Sequence, residues 1–565
     1  MLLSQGNTSS DAGWTHNNFP MTNGSGKWYS EHRIGQLSAT GGNYPSIGVS
    51  STYLSYYNGT LTTSRFYNNY CRIRATGNCD EYGSVFTEQS GMDLGATLAD
   101  DDIISIAVDT DNKKIWFAKN GTWIGSGNPG GNSNPSFTYT LEDDLLISIQ
   151  HLSDSAASWV YSNYGQDATF NGNVIAGGNA DANGYGDFKY AVPSGFKALC
   201  TQNLATPTVK NGREHHNTIT YTGNNGTNNI TGMGFAPDLV WLNNRTTTAN
   251  HKIQDVVSGN TLVLEPDTNI AGEDQSASFT AFASDGFNLA SNTTEYNNSS
   301  YTYYAHGWKA GGATTTDVTE SGSGTSRINQ SSRSTNTDAG FSLIKYVGAH
   351  DEISNGEHTK VHHGLNSPPQ TLIIKHLTEA VSWSVMGHWM IHSGAVAGLN
   401  DYRIGLDHTD PYSGSYYMGT TDPDSTYIYL GNSDYVNDDG DSYICYAWHE
   451  VEGYSKFGYY LGNGSTDGPF IYTGFRPAWV MFRRMNASGA NHWMMFNTKL
   501  DPDNPAISGN WADYTPIGEA HASYAWDILS NGFKIRATNA SGNTSGGYYM
   551  YMAFAESPFK YANAR

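Results

Sequence analysis

The sequence of 565 residues has four cysteines, few charges (15%) and few basic residues, with 30 Lys and Arg against 52 Asp and Glu. Four cysteines in so long a chain exclude a disulfide scaffold. Cys71 and Cys79 flank a Gly-Asn turn and could pair across a hairpin, but two separate reduced thiols are favoured, because cytosolic assembly keeps thiols reduced. Cys200 and Cys445 sit among apolar and aromatic neighbours, where a free cysteine acts as a small hydrophobe. The formal charge of −22 and the absence of any Lys/Arg run exclude a nucleic-acid partner and an anionic membrane surface. No stretch of about 18 apolar residues occurs, so membrane insertion is not expected. The opening MLLSQGNTSS lacks the basic start and apolar segment of a secretory signal. That implies synthesis in a cytoplasm, or a chain that begins as a fragment.

What is present is aromatic bulk and turn chemistry. Tyr (38), Phe (21) and Trp (14) make up 13% of the chain, and there are 63 glycines. Many short strands joined by tight turns fit that mixture, in several globular units rather than one. The stretch IISIAVDTDNKKIWFAKNGTW (103–123) is a strand, an Asp-x-Asp-Asn turn, a second strand and an Asn-Gly turn. Residues 144–152 and 158–166 repeat the alternation, and nothing before about residue 200 keeps a helical period. The expected composition is more than about 35% strand and less than about 10% helix, against typical values near 20–25% and 30–35%.

The phrases GKWYSEHRI (26–34), SIGVSS (46–51), DDIISIAVDTDNKKIWFAKNGTW (101–123) and YSNYGQDATF (161–170) resemble the SPRY domain over about residues 13–199. The resemblance implies a β-sandwich that binds partners through loops at one end and has no catalytic motif. The stretch VPSGFKALCTQNLATP (192–207) resembles the linker that follows SPRY-like units in tail fibres of marine bacteriophages.

Beyond residue 215 the chain repeats itself, and a repeat is read before any motif. The three copies run GFAPDLVWLNNR (234–245) to YTYYAHGWKAG (301–311), HGLNSPPQTLIIK (363–375) to YICYAWHEVEG (443–453), and GFRPAWVMFRR (474–484) to YYMYMAFAESPF (548–559). Their order and spacing resemble the repeated β-sandwich modules of marine and cyanobacterial phage tail fibres, and residues 551–565 match the closing phrase of such modules. The expected organisation is all-β: a SPRY-like sandwich (1–200), three related jelly-roll-like sandwiches (201–312, 339–453, 454–565) and a polar Ser/Thr/Gly linker (313–338). That linker is either flexible or extended against its neighbours.

The resemblance implies a non-enzymatic phage virion protein, a tail fibre or fibre-like appendage, recognising a bacterial cell-surface receptor, glycan in preference to protein. Its partners would be itself, as a homotrimer, and other tail or baseplate proteins. A capsid decoration, a head fibre or a shaft without receptor contact is the alternative, and a polysaccharide depolymerase ranks below it.

Candidate sites are weighed on their own residues. His358, His362 and His363, with His350 and His376 nearby, invite a metal, but HTKVHHG has no helical pattern and a turn or packing role is favoured. The acidic groups Asp422/Asp424, Asp438/Asp439/Asp441 and Asp501/Asp503 sit in turns and fit no calcium-loop pattern. No cofactor or metal is expected, structural Ca2+ being the weaker alternative. No nucleophile elbow, phosphate loop or His-Glu-x-x-His helix occurs.

Trp116, Trp241, Trp389, Trp479, Trp493 and Trp526 fall in strand patterns and are expected in cores, with Trp389 and Trp493 at equivalent places in two copies. Rings outside strands are the glycan-binding candidates: Trp511 and Tyr514 in GNWADYTP, Tyr412, Tyr416 and Tyr417 in DPYSGSYYMG, and Tyr53, Tyr56 and Tyr57 in the first unit. Flat rings among Asn, Asp and Ser stack on sugar faces while polar neighbours bond hydroxyls. Covering their own loops is an equally weighted role.

Overall fold

A computed structural model describes residues 2–5, 13–17, 19–37, 45–51, 69–82, 85–94, 97–141, 144–151, 158–312, 314–316, 331–349, 359–387, 402–411, 413–414, 417–418, 421–487, 489, 491–514 and 524–562. The chain is nearly all β, 43% strand and 3% helix, in antiparallel sheets that form no barrel. It divides into two compact units, Met1–Ala205 and Thr206–Arg565.

The first unit holds two sheets. One runs in the order Leu2–Gln5, Trp159–Asn163, Lys27–Gln36, Ile103–Asp109, Lys114–Lys119, Phe137–Tyr139 and Phe86–Glu88. The other runs Gly13–His16, Leu145–His151, Ser46–Ser51, Tyr70–Ile73 and Cys79–Tyr82. The hairpin expected over 103–123 forms in that register, and its closing Asn120-Gly121 turn has φ values of 50° and 81°. Two residues with positive φ are what a tight turn between right-twisted strands demands, and Asn-Gly adopts them most cheaply. Cys71 lies opposite Glu81 and Cys79 opposite Ile73. Both thiols are free and buried, as the favoured reading of the sequence has it.

The second unit contains one strand arrangement three times. Each main sheet begins with an opening strand (His216–Thr222, Phe341–Val347, Ser455–Leu461), beside which lies the closing strand (Thr302–Trp308, Ser442–Trp448, Tyr548–Pro558). Next come a central strand (Leu239–Asn244, Thr371–His376, Phe475–Arg484) and a fourth strand (Lys252–Asp255, Ser384–Gly387, Met494–Asn497). In copy two the polar stretch extends the main sheet outward: Ser331–Asn336 pairs with Phe341–Val347, and Thr315–Thr316 pairs with Ser331–Asn336 at the edge. A second, smaller sheet accompanies each copy: Asn228–Thr231, Gly286–Leu289 and Phe279–Ala283 in copy one, Thr359–His362 and Tyr427–Leu430 in copy two, and Phe470–Tyr472, Gly532–Ile535 and Trp526–Leu529 in copy three.

Strand pairing fixes the equivalences residue by residue. His216 faces Trp308, Phe341 faces Trp448 and Ser455 faces Phe554. Trp241, Ile373 and Met481 pair with Ile253, Val385 and Met495, and on their other side with His306, Tyr446 and Met552. By this register Trp493 corresponds to Trp383, two residues before Val385, and not to Trp389, which lies outside the described residues.

Alternation along the central strand sends side chains to two different cores. Val240 and Leu242 pack with Phe279, Phe287 and Leu289 of copy one's own small sheet, while Leu239 and Trp241 join a cluster containing residues of all three copies. Copy two divides the same way, Leu372 and Ile374 inward to its own sandwich and Ile373 to the common cluster. A sheet buried on both faces has no polar side, which is why LVWL, TLIIK and AWVMF read as continuous apolar runs. Where the copies meet, a dry space of about 10 Å³ remains among Trp241, Trp308, Trp383, Trp448, Trp479 and Met552, no larger than one water.

Hydrogen bonds join copy two to copy one and copy three to copy two, and packing of His216 against Phe554 and Trp479 joins copy one to copy three. Trp383 Nε1 of copy two donates to the Glu265 carbonyl of copy one at 3.0 Å, and Trp493 Nε1 of copy three donates to the Gly405 carbonyl of copy two at 2.8 Å. His251, Trp383 and Trp493 each precede by two the fourth-strand residues Ile253, Val385 and Met495, and the two tryptophan acceptors each follow the bridge partners Leu264 and Ile404 by one residue. In copy one the equivalent ring stays within its own copy: Trp241 Nε1 donates to His251 Nδ1 at 3.0 Å, and Asn243 Nδ2 lies 2.7 Å from Nε2. One position therefore reaches the next copy's backbone in copies two and three.

Replacing Trp383 with Phe keeps most of the ring but leaves the buried Glu265 carbonyl without its donor. A loss of about 1–3 kcal/mol is expected in urea-induced unfolding. Trp493→Phe should cost less, because Arg483 Nη1 also donates to Gly405 O, at 2.6 Å.

Candidate functional site

The loop that follows Asn510–Trp511 in copy three is anchored at its entry and open beyond it. Asp513 is buried, and its carboxylate accepts from Trp493 N at 2.9 Å and meets His492 Nδ1 at 3.1 Å. Ala512 N donates to Trp493 O at 2.9 Å. These bonds hold His492 beneath Tyr514, whose ring stacks on the imidazole at 4.6 Å and 17°. Tyr514 is 49% exposed. Trp511, half-buried, stands edge-on to Tyr514 at 6.3 Å and to Tyr524 at 5.9 Å. The arrangement offers an exposed phenol ring with a hydroxyl, backed by aromatic neighbours that restrict its motion, which suits stacking on a flat apolar ligand face flanked by hydroxyls.

The other candidates divide. Tyr53, Tyr56, Tyr57, Tyr412 and Tyr416 lie outside the described residues. Tyr417, expected among exposed rings, is instead 4% exposed and belongs to the core of copy two. The reason is a buried cation: the Arg403 guanidinium sits 5.3 Å from the Tyr417 ring and 3.8 Å from that of Tyr435, and its Nη1 donates to Trp383 O at 3.0 Å. Two ring faces and a carbonyl compensate a charge withdrawn from water. Trp116, Trp241, Trp479, Trp493 and Trp526 are all buried, as expected.

Among the histidines, His350 and His358 lie outside the described residues, and His362 is half-buried with Lys360 and Tyr427 on its strand pair. His363 takes the turn role: its Nδ1 accepts from Leu365 N at 3.2 Å and its Nε2 meets the Asp424 carbonyl at 3.0 Å. Asp424 closes the facing turn by accepting from Thr426 N and Tyr427 N at 2.7 Å and from the Tyr429 hydroxyl at 2.6 Å. Burial alone would raise that carboxyl, but these hydrogen bonds outweigh it and hold it below its usual range. Asp501 likewise accepts from Ile507 N and Ser508 N. These acids order turns.

His376, Glu379 and Asp438 bring one ligand atom each within 4.8 Å of one another, and Asp441 lies 3.4 Å from His376 Nε2. The imidazole is in the wrong state for a metal. Its Nδ1 accepts from Thr378 N and Glu379 N at 3.3 and 3.1 Å, so the ring proton sits on Nε2, which makes no hydrogen bond. A ligating histidine has the opposite pattern, donating from the nitrogen that does not bind the ion. Removing divalent cations with EDTA, or adding millimolar Ca2+, is accordingly expected to leave the melting temperature unchanged within about 1 °C. In paired stability measurements Tyr514→Ala should stay within about 0.5 kcal/mol of the parent, whereas Tyr417→Ala should lose about 3 kcal/mol or more, since it empties a packed site over Arg403.

The sequence reading placed Trp493 in a core but did not single out its inter-copy bond, nor Trp383. The available signal is an N–H-bearing ring immediately before the fourth strand in each copy, blurred because copy one uses histidine and because GHWM (387–390) imitates NHWM (491–494).

No curated protein matches the chain. Among solved structures it is similar to the SPRY domain of human HERC1, at 21% identity over 27% of this chain and 82% of that one, with a TM-score of 0.19. It is also similar to a putative glycosyl hydrolase from Parabacteroides distasonis ATCC 8503, at 14% identity over 28% and 83%, with a TM-score of 0.16. A family model described as "Domain of unknown function (DUF7483)" matches residues 211–558, which run from just before the first strand of copy one to the last residue of copy three's closing strand, and the chain belongs to that family.

Proposed function

We propose that the chain is a non-enzymatic phage virion protein, a tail fibre or fibre-like appendage, and that it recognises a bacterial cell-surface glycan through the loop carrying Trp511 and Tyr514. The carrying observation is the exposed Tyr514 ring, stacked on His492 and pinned through Asp513 to the buried strand at Trp493. A loop that varies on a scaffold whose core does not is the usual site of recognition. The virion assignment is supported by the resemblance of residues 551–565 and 192–207 to phage fibre segments. This reading places the protein on the virion surface, with other tail or baseplate proteins, further copies of itself in a homotrimer, and surface glycan or protein as partners.

A second reading, a shaft or capsid decoration without receptor contact, draws on the burial of Tyr417 and the half-burial of Trp511. Both place rings in packing instead of on the surface.

The test is binding of the purified full chain to immobilised bacterial surface polysaccharides, with Tyr514→Ala beside it and chain length of the glycan measured in the same samples. Saturable binding that weakens by about 1–3 kcal/mol in the variant is expected. Binding to none of a broad panel, with immunogold label on capsids or along shafts, would favour the second reading. Shortened glycan chains would establish a depolymerase.

A further inference from the structure

Two histidines stand where copies one and three meet, and neither is satisfied. His216 is fully buried, and both of its ring nitrogens lack a hydrogen-bond partner. Its ring lies 4.7 Å from Trp308, 5.1 Å from Phe554 and 5.9 Å from Trp479. Trp308 belongs to copy one and the other two to copy three. His306 is also fully buried, with Nδ1 on Thr218 Oγ1 at 2.8 Å and Nε2 without a partner. It stacks against His216 at 6.3 Å and 23° and lies 5.8 Å from Trp479. The equivalent positions hold Phe341 and Ser455 for His216, and Tyr446 and Met552 for His306. Copies two and three therefore fill the same places without an ionisable base.

We propose that the His216–His306 pair is an acid-operated latch on the ring of three copies, closed while both imidazoles are neutral and opened when mild acid protonates them. A charge at either ring would be buried without a counter-ion, and a second would add repulsion at close range. On the strands packed against His216 the facing groups are Trp308, Trp479, Phe554 and His306, none of them an acid. His306 is faced by Tyr304, Thr218, Trp308, Trp479 and His216, with His251 as the next titratable group. His251 in turn has Asp267 beside its backbone amide at 3.3 Å. Burial pushes that carboxyl up to about 7, so Asp267 contributes a pH dependence of opposite sign, and only a comparison of variants isolates the histidines.

The direction follows from linkage. Burial lowers His216 from 6.5 to about 3, and burial with the neighbouring His216 and His251 lowers His306 well below its usual value. Above about pH 6.5 neither the folded nor the unfolded state binds these protons, and the full stability is present. Between about pH 6.5 and 3 only the unfolded or opened state binds them, so stability falls as pH falls. Each histidine lowers the folding equilibrium constant about tenfold per pH unit in that window, and the pair about a hundredfold.

Opening separates Trp308 and Trp479 from one another and wets the shared apolar face, so the full-length protein is followed from pH 7.5 to 4.0 by tryptophan emission and binding of a hydrophobic dye. A red shift with dye uptake is expected below about pH 5.5. His216→Phe, which installs the residue of copy two, and His306→Met, which installs that of copy three, should each reduce the pH dependence by about tenfold per unit and move the midpoint down by about one unit. His449→Gln, at a partly buried histidine whose ring bonds the Pro368 carbonyl and Gln370 and not the His216–His306 pair, should leave both unchanged. The proposal is overturned if the parent protein shows no opening above pH 4, or if whichever of the two junction variants folds keeps the parent's midpoint and slope.

Discussion

Everything in the second unit depends on one constraint: each of three sheets has two apolar faces, and a single small partner sheet can cover only one. The uncovered faces, carrying Leu239 and Trp241, Ile373, and Trp479 and Met481, are satisfied by one another in a common core. Burial of that apolar area is the driving force, and it has no direction of its own. Direction comes from the ring N–H groups of Trp383 and Trp493, which reach the neighbouring copy's backbone and select one mutual arrangement. A buried carbonyl left without a donor is costly, so these bonds penalise alternatives more than they reward the native state.

The same constraint separates scaffold from surface. Side chains that would be variable binding groups on an isolated sandwich are drawn inward here, as Tyr417 and Arg403 show. What remains outside are loop ends tethered by buried acids, of which the Asp513–Trp493–His492 cluster under Tyr514 is the clearest example. A binding face built in this way loses little conformational entropy on meeting a ligand, since its ring is already held.

The strands and their order were legible in the sequence because turn chemistry and apolar runs are local signals. The Asn120-Gly121 hairpin and the central and closing strands of the three copies, Leu239–Asn244 with Thr302–Trp308, Thr371–His376 with Ser442–Trp448 and Phe475–Arg484 with Tyr548–Pro558, stand where the pattern places them. The common core was not legible, because an apolar run such as TLIIK says that both faces are covered without saying by what. Two similar tetrapeptides make Trp389 look equivalent to Trp493, whereas strand pairing alone reveals the register that assigns Trp383. Polar neighbours leave Tyr417 open to a surface or a packing role, and an arginine fourteen positions earlier decides for packing. His216 gave no sign at all, since a histidine at a strand start carries no mark of burial.

The central claim is that the three copies are one cooperative structure and not three sandwiches on a string. Differential scanning calorimetry of the full chain at pH 7.5 tests it most directly. The account predicts that the second unit melts in a single transition, with a calorimetric enthalpy that scales with all of residues 206–565 and equals the van't Hoff enthalpy. Three resolved transitions, each matching one copy of about a hundred residues, or a van't Hoff enthalpy about one third of the calorimetric enthalpy, would contradict it.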